Sequence, residues 1–301
     1  MQNRKQSPSK QKNSCLAFKA GLSFFLFILT VMLGIAVFSA VCNGNAEWSI
    51  ITDAVLDTDM SGTGTLPVPP YGNGFVADIS EFEEYINPIH KLRDNFLTLI
   101  NRDNPAGDTS LPDDLTAIPQ ALTSGGRDNV FLSLYAAKAL EAMFTEIKAQ
   151  NVEITDPKTK ITLSVTLGYV SYNDQAAKFE NEVSKLMRND ETLSRKMAED
   201  IAETTVSRPG KDEHQSGLSA DIHNCASNSL SFKNSEAYIW LKENSWKFGF
   251  ILRYPEDKTE ITGVQFEPWH YRYVGRYHAK EMVERNLCLE EYIDFLLSQQ
   301  N

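Results

Sequence analysis

The reading of this chain turns on PGKDEHQSGLSADIH, residues 209–223. QSG argues against a helix through His214, and LSADI argues for a short strand at Asp221. That puts His214 on the loop entering a strand and Asp221 on the strand itself. His223, two residues on, shares the face of Asp221 and is expected as a supporting or rim histidine. Farther along comes FEPWH, residues 266–270, with Glu267 and His270 three apart. Pro268 between them opposes a helix interior. On a regular strand, side chains three apart point to opposite faces. Both can address one centre only if the chain bends near Pro268 and Trp269, and that irregularity is predicted. The chain has only five histidines, so their gathering beside carboxylates raises a metal site. A hydrolytic zinc site takes three His or carboxylate ligands and keeps one position for water. His214, Asp221 and His270 would supply that set. Glu267 suits a base that relays the proton of a metal-bound water. As a fourth ligand it would instead close a structural site. Each motif alone is weak, since such pairs also occur as solvated neighbours.

Around these stretches the order is helices first, then strands mixed with helices, without regular βαβ alternation. The expected fold class is α+β, an antiparallel sheet with flanking helices around a zinc site. Helical spacing begins near Ile79 and breaks at Pro88. A long amphipathic helix follows, on Leu132, Ala136, Ala139, Leu140, Met143 and Ile147. KITLSVTLGYVSY (160–172) reads as a strand. Residues 173–206 read as helix, capped by Asn173 or Asp174. SEAYIWLKENSWKFGF (235–250) reads as a helix stopping at Gly249. ILRYP and TGVQFEPWHYRYVG read as neighbouring strands, and 277–298 as a closing helix or helix pair. Trp240, Trp246 and Phe250 are assigned to the core, Trp269 to the site wall, and His278 to an exposed position. His90 falls on the early helix without an acidic partner.

The balance of 42% apolar and 23% charged residues is that of an ordinary globular protein. The net charge is -11, and the positive charge gathers at the start. Residues 1–20 hold Arg4, Lys5, Lys10, Lys12 and Lys19 and no acid, so the rest is more acidic still. An acidic body is a poor match for nucleic acid. GLSFFLFILTVMLGIAVFSAVC, residues 21–42, is uncharged over a length that crosses a bilayer. The positive-inside rule then gives a cytoplasmic tail (1–20), a transmembrane anchor (21–42) and everything later outside the cell membrane. A cleaved signal is the alternative, with small residues at Gly44 and Ala46, although the apolar run is long for one. Val41 argues against a lipoprotein site at Cys42. Residues 43–85, rich in Gly, Pro, Ser and Thr, read as a stalk before a catalytic domain at 86–301. Cys225 and Cys288 could pair outside the cell or stand as buried thiols.

PGKDEHQSGLSADI resembles the S-x-H-x-x-G-x-A-x-D signature of VanY-type D-alanyl-D-alanine carboxypeptidases. These are zinc peptidases of the lysostaphin, D-Ala-D-Ala and hedgehog group. Residues 240–275 are similar to that family nearly end to end, LTLINRDNPAGD and LPDDL resemble its lead-in, and GYVSYNDQ its G-Y-R-S-Y-x-x-Q element. The resemblance implies Zn2+ held by His214, Asp221 and His270, with Glu267 as catalytic base. It implies Ser171 and Gln175 at the substrate's C-terminal end, and peptidoglycan stem peptides as substrate, losing their terminal D-alanine. Three positions depart from the family pattern. Its Arg is Val170 here, its first Ser is Asp212 and its Ala is Ser219. An electrostatic donor at an active site is worth about 3–4 kcal/mol of transition-state stabilisation, so Val170 needs a replacement. Arg208 is a candidate substrate-binding residue on that ground, with Arg272 and Arg276 behind it. An L,D-carboxypeptidase trimming tetrapeptide stems and a weakened zinc-retaining wall-binding module are the rival readings.

Overall fold

In the computed structural model the described residues are 74–88, 96–107 and 112–299. The expected anchor at 21–42 and His90 lie outside them. No described helix is long and apolar enough to cross a membrane.

The site is built on a four-stranded antiparallel sheet in the order β3 (Ser164–Leu167), β4 (Ser219–His223), β6 (His270–Tyr273), β5 (Phe250–Leu252). The two central strands explain why one sheet serves both core and site. In β4, Ala220 and Ile222 point into the hydrophobic core, and Tyr271 and Tyr273 of β6 do the same. The alternate residues are Ser219, Asp221 and His223 on β4, and His270 and Arg272 on β6. All of them are buried too, so the sheet has an apolar face and a buried polar face. Register puts Asp221 directly opposite His270, and Ser219 opposite Arg272. A slip of one residue would turn Asp221 into the core.

The apolar face packs on helix α1 (Leu134–Ala149), whose Ala136, Ala139, Leu140 and Met143 are fully buried. Leu132 precedes that helix, on strand β2 (Phe131–Ser133), which forms a two-stranded antiparallel sheet with β1 (Leu115–Ala117). The apolar run there is too short to distinguish strand from helix by period. The segment expected as one helix over 173–206 is two: α2 (Tyr172–Asn189) and α3 (Arg195–Ala202). Ser171 caps the first, accepting from the Asp174 amide, and Ser194 caps the second. Asp190, which receives the Thr192 amide and hydroxyl, turns the chain between them.

Helix α4 (Glu236–Asn244) is capped by Ser235 and runs into a 3-10 turn that stops at Gly249, in the left-handed conformation at φ 82°. A Cβ there would meet Tyr273 Cε2 at 2.8 Å and Gly275 Cα at 3.0 Å. Residues after β5 do not form the long strand expected over 262–275. Thr259–Thr262 is a helical turn, and strand geometry begins only at His270. The closing segment is a helix pair, α5 (Arg276–Arg285) and α6 (Leu289–Ser298), with its own apolar cluster around Val274, Met282, Leu289 and Tyr292. His278, expected at the surface, is buried in that pair with Nδ1 2.9 Å from the Tyr292 hydroxyl. Within the segment expected as a stalk up to residue 85, Ile79 and Phe82 are buried in the main core, with Phe75 and Ala77 packed against it, so these residues belong to the core. Cys225 and Cys288 are free thiols.

Candidate metal centre and active site

His214 sits on the 3-10 turn Glu213–Ser216 that enters β4. Asp212 caps that turn, its carboxylate accepting from the His214 amide at 2.9 Å, and Gly217 closes it at φ 69°. The Val170 amide donates to the His214 carbonyl at 3.2 Å. Position 170 thus braces the turn through its backbone, while its side chain is buried.

Asp221 and His270 face each other across β4 and β6, and His214 is brought beside them. His214 Nε2 and His270 Nδ1 each lie 3.3 Å from Asp221 Oδ1. The three donor atoms fall within 4.8 Å of one another, all on buried residues. Asp221 Oδ1 is buried and accepts no hydrogen bond. Tetrahedral zinc with bonds of about 2.0–2.1 Å separates its ligand atoms by about 3.3–3.4 Å. The donor types suit zinc, and Asp221 Oδ1 stands at that spacing from both histidine nitrogens.

Glu267 reaches the same place by the predicted irregularity. Pro268 and Trp269 form a tight turn in which the His270 amide donates to the Glu267 carbonyl at 3.2 Å. The turn carries both side chains to one side, with Glu267 Oε2 3.6 Å from His270 Nδ1. Burial raises the pKa of Glu267, partly offset by His270.

Behind the donor atoms lies a shell that the sequence reading missed. Glu213 is buried, and its Oε2 lies 3.4 Å from His270 Nε2. Its Oε1 accepts from Arg253 Nε and Arg272 Nη1, each at 2.7 Å. Ser219 donates to Oε2 at 2.9 Å. Burial opposes its charge, but the two guanidinium groups win and hold Glu213 well below the usual carboxylate range. Arg253 continues to Glu290 through two hydrogen bonds of 2.7 and 2.8 Å. Two arginines thus balance two carboxylates, and Arg272 spends its remaining donors on backbone carbonyls of Phe96, Thr98 and Tyr273.

Asp221 has its own support. The Cys225 amide donates to His223 Nδ1 at 3.2 Å, so the ring proton sits on Nε2, facing Asn228 Oδ1 at 2.9 Å. Asn228 Nδ2 then donates to Asp221 Oδ2 at 2.9 Å. His223 is therefore a supporting residue, two bonds from the centre. Burial disfavours charge on both partners, yet Asp221 is held far below its ordinary pKa by His214 and His270, and His270 is lifted to about 10 by Asp221 and Glu213.

The centre opens into a cleft of about 250 Å3 lined by Gln175, Lys178, Asp212, Tyr254, Glu267 and Trp269 together with the three donor residues. Gln175 Nε2 donates to the Ser207 carbonyl at 2.7 Å, and its Oε1 is buried without a partner. Ser171 does not line the cleft: its hydroxyl is engaged with Asp174 at 2.6 Å. Arg208 does not line it either, because Glu203 holds its Nε at 2.6 Å and its guanidinium stacks on Phe179. Arg272 is committed to Glu213, and Arg276 donates to the Lys247 carbonyl at 2.5 Å. Tyr254 was not foreseen. Its carbonyl accepts from the Glu267 amide, and its ring lies 4.9 Å from that of His270.

An antiparallel α+β core presenting two histidines and a carboxylate at metal-ligand spacing, with a further glutamate beside them, defines a metallohydrolase-type centre. Residues 129–276 match the family model for VanY D-alanyl-D-alanine carboxypeptidases. A D-alanyl-D-alanine carboxypeptidase of Enterococcus faecalis (strain ATCC 700802 / V583) is 38% identical over 198 residues, which is 66% of this chain and 65% of that protein. VanY from the VanB-type vancomycin resistance cassette, solved as a mutant with Zn(II), is 36% identical, with a TM-score of 0.50 over 65% of this chain and 98% of that one. The LdcB LD-carboxypeptidase structure is 32% identical, with a TM-score of 0.56 over 66% of this chain and 86% of that one. The chain belongs to the VanY D-alanyl-D-alanine carboxypeptidase family.

Proposed function

We propose that this chain is a zinc-dependent D,D-carboxypeptidase that removes the terminal D-alanine from peptidoglycan stem peptides. The observation that carries this reading is the convergence of His214, Asp221 and His270 within 4.8 Å, with Glu267 beside them but outside that group. Bound zinc would polarise the scissile carbonyl and acidify a coordinated water. His214 Nε2, Asp221 Oδ1 and His270 Nδ1 are the atoms that would hold it. Glu267 takes the water proton and delivers it to the leaving amine, a role suited by its place beside His270 and outside the three-ligand group. Glu213 and Asn228 keep His270 and Asp221 turned toward the cation. Gln175 and Trp269 hold the substrate on the cleft walls.

The same reading takes residues 21–42 as a single-pass anchor with the catalytic domain outside the cell membrane, beside the wall. The basic flank and uncharged run support it. Protease accessibility of the domain in intact cells, and its release or retention on membrane washing, test it.

The likeness to LdcB favours a second reading, an L,D-carboxypeptidase acting on tetrapeptide stems. Val170 favours a third, a zinc-retaining wall-binding module. The full chain, loaded with zinc, is incubated with a stem pentapeptide ending D-Ala-D-Ala and with the tetrapeptide, and D-alanine is followed by mass spectrometry. Release from the pentapeptide supports the D,D reading. Release from the tetrapeptide alone moves the assignment to the L,D class. Release from neither, with zinc bound, leaves the binding module.

A further inference from the structure

The cleft has one cation that nothing else in the described structure uses. Lys178 lies on α2, one turn beyond Gln175, and is the sole Lys or Arg among the cleft-lining residues. The other cations nearby are committed. Arg208 and Lys211 pair with Glu203 at 2.6 and 3.3 Å, and Arg253 and Arg272 with Glu213 at 2.7 Å. No described carboxylate pairs with Lys178, although Asp212 and Glu267 line the same cleft. A second feature on this wall points to a ligand. Gln175 is 2% exposed, is fixed by its bond to the Ser207 carbonyl, and keeps Oε1 without a partner. An unpartnered acceptor so buried is costly unless something donates to it. A free ammonium and a free amide acceptor on consecutive turns of one helix match the two ends of a terminal peptide unit, a carboxylate and an N–H.

We propose that Lys178 binds a carboxylate of the stem peptide, its C-terminal one, one turn beyond Gln175, whose place at that end of the substrate the family resemblance already implies. This rests on the reading of the cleft as a stem-peptide site. It also accounts for Val170, since the anionic end of the substrate has its counter-charge on α2. Lysine offers a mobile point charge on a four-carbon stem, without the fixed fork of an arginine.

The stem peptide has a second carboxylate source, the free α-carboxylate of its second residue, and the test separates the two. Calorimetry uses the full-length, zinc-loaded Glu267→Gln chain, so binding is read whether or not the wild type turns over. Three pentapeptides are compared: free at both positions, amidated at the C-terminus, and amidated at the second residue. Loss of one charge-assisted contact weakens binding about tenfold. The C-terminal amide is expected to bind about tenfold more weakly than the free acid. Adding Lys178→Ala should weaken the free acid to the same degree and remove the distinction, and Lys178→Arg should restore it. Lys178 is exposed, so these variants keep the fold. Weakening that follows the second-residue carboxylate, no difference among the peptides, or no effect of Lys178→Ala overturns the assignment. D-alanine release by the wild type is scored separately. Its absence sinks the carboxypeptidase reading, whereas release with an unmoved Lys178→Ala affinity sinks only this inference.

Discussion

Glu213 stands behind His270, its Oε2 3.4 Å from the imidazole Nε2, while the other ring nitrogen faces Asp221. The sheet thus joins the metal centre to a buried charge network, since the same glutamate is gripped by Arg253 and Arg272. Glu213→Gln keeps the shape and removes the charge between two buried arginines. It should destabilise the chain by about 3–5 kcal/mol and weaken zinc binding about 10–100-fold. Urea denaturation and a chelator competition read the two effects. An unchanged denaturation midpoint would remove the network from the account.

Asn228 offers the cleaner separation of metal from fold. It is exposed and holds Asp221 Oδ2 with one hydrogen bond. Asn228→Ala should lower zinc affinity about tenfold or more while shifting the metal-free melting temperature little. Equal zinc affinity in competition titration would mean that Asp221 is oriented without it.

Gly249 allows the chain to turn back into the sheet. Gly249→Ala places a Cβ at φ 82° against Tyr273 and Gly275 and should cost about 1–3 kcal/mol or more. Gly263, at φ 70° with nothing within 4 Å of a built Cβ, is the control. Gly263→Ala meets only the backbone cost, about 1 kcal/mol. Thermal melts of the two variants should differ, and equal losses would contradict the packing described.

Burial holds His278 neutral, with its pKa pushed down to about 4. The unfolded chain takes up that proton near the ordinary histidine value of about 6.5. Between these limits the unfolded state binds more protons, so stability climbs with pH and falls on acidification. The slope contributed is at most about 1.4 kcal/mol per pH unit, and it flattens below about pH 4. In His278→Asn, denaturation midpoints measured from pH 4 to 7 should lose that part of the slope. An identical profile would mean that His278 charges within the folded protein.

The donor residues were legible because chemistry and period coincided. Asp221 needed a strand and His214 a loop before it, and both could be read from QSG and LSADI. The bend at Pro268 followed from asking Glu267 and His270 to face one centre. The supporting shell was not legible, because Glu213, Arg253 and Arg272 are far apart in sequence until the fold buries them together, and Arg272 was considered only as a substrate-binding cation. His278 failed for the same reason: a polar residue opening a helix looks exposed unless the partner helix, carrying Tyr292, is known to cover it. Arg208 is held away from the cleft lining by Glu199 on the preceding helix and Glu203 at its end, partners that only the structure brings to it. Lys178 is one of two lysines on α2, and only the cleft distinguishes it from Lys185.

If His214, Asp221 and His270 hold zinc and Glu267 is the base, turnover needs both the metal and the glutamate. The direct measurement is D-alanine release from the stem pentapeptide by the full chain, in parallel with zinc stoichiometry, for the wild type and Glu267→Gln. Release is expected to stop on chelation and to return with zinc. Glu267→Gln should bind one zinc while losing about 10²–10⁴-fold in rate. Release that survives either zinc removal or Glu267→Gln, or a wild type that binds zinc and releases nothing, would contradict this reading of the site.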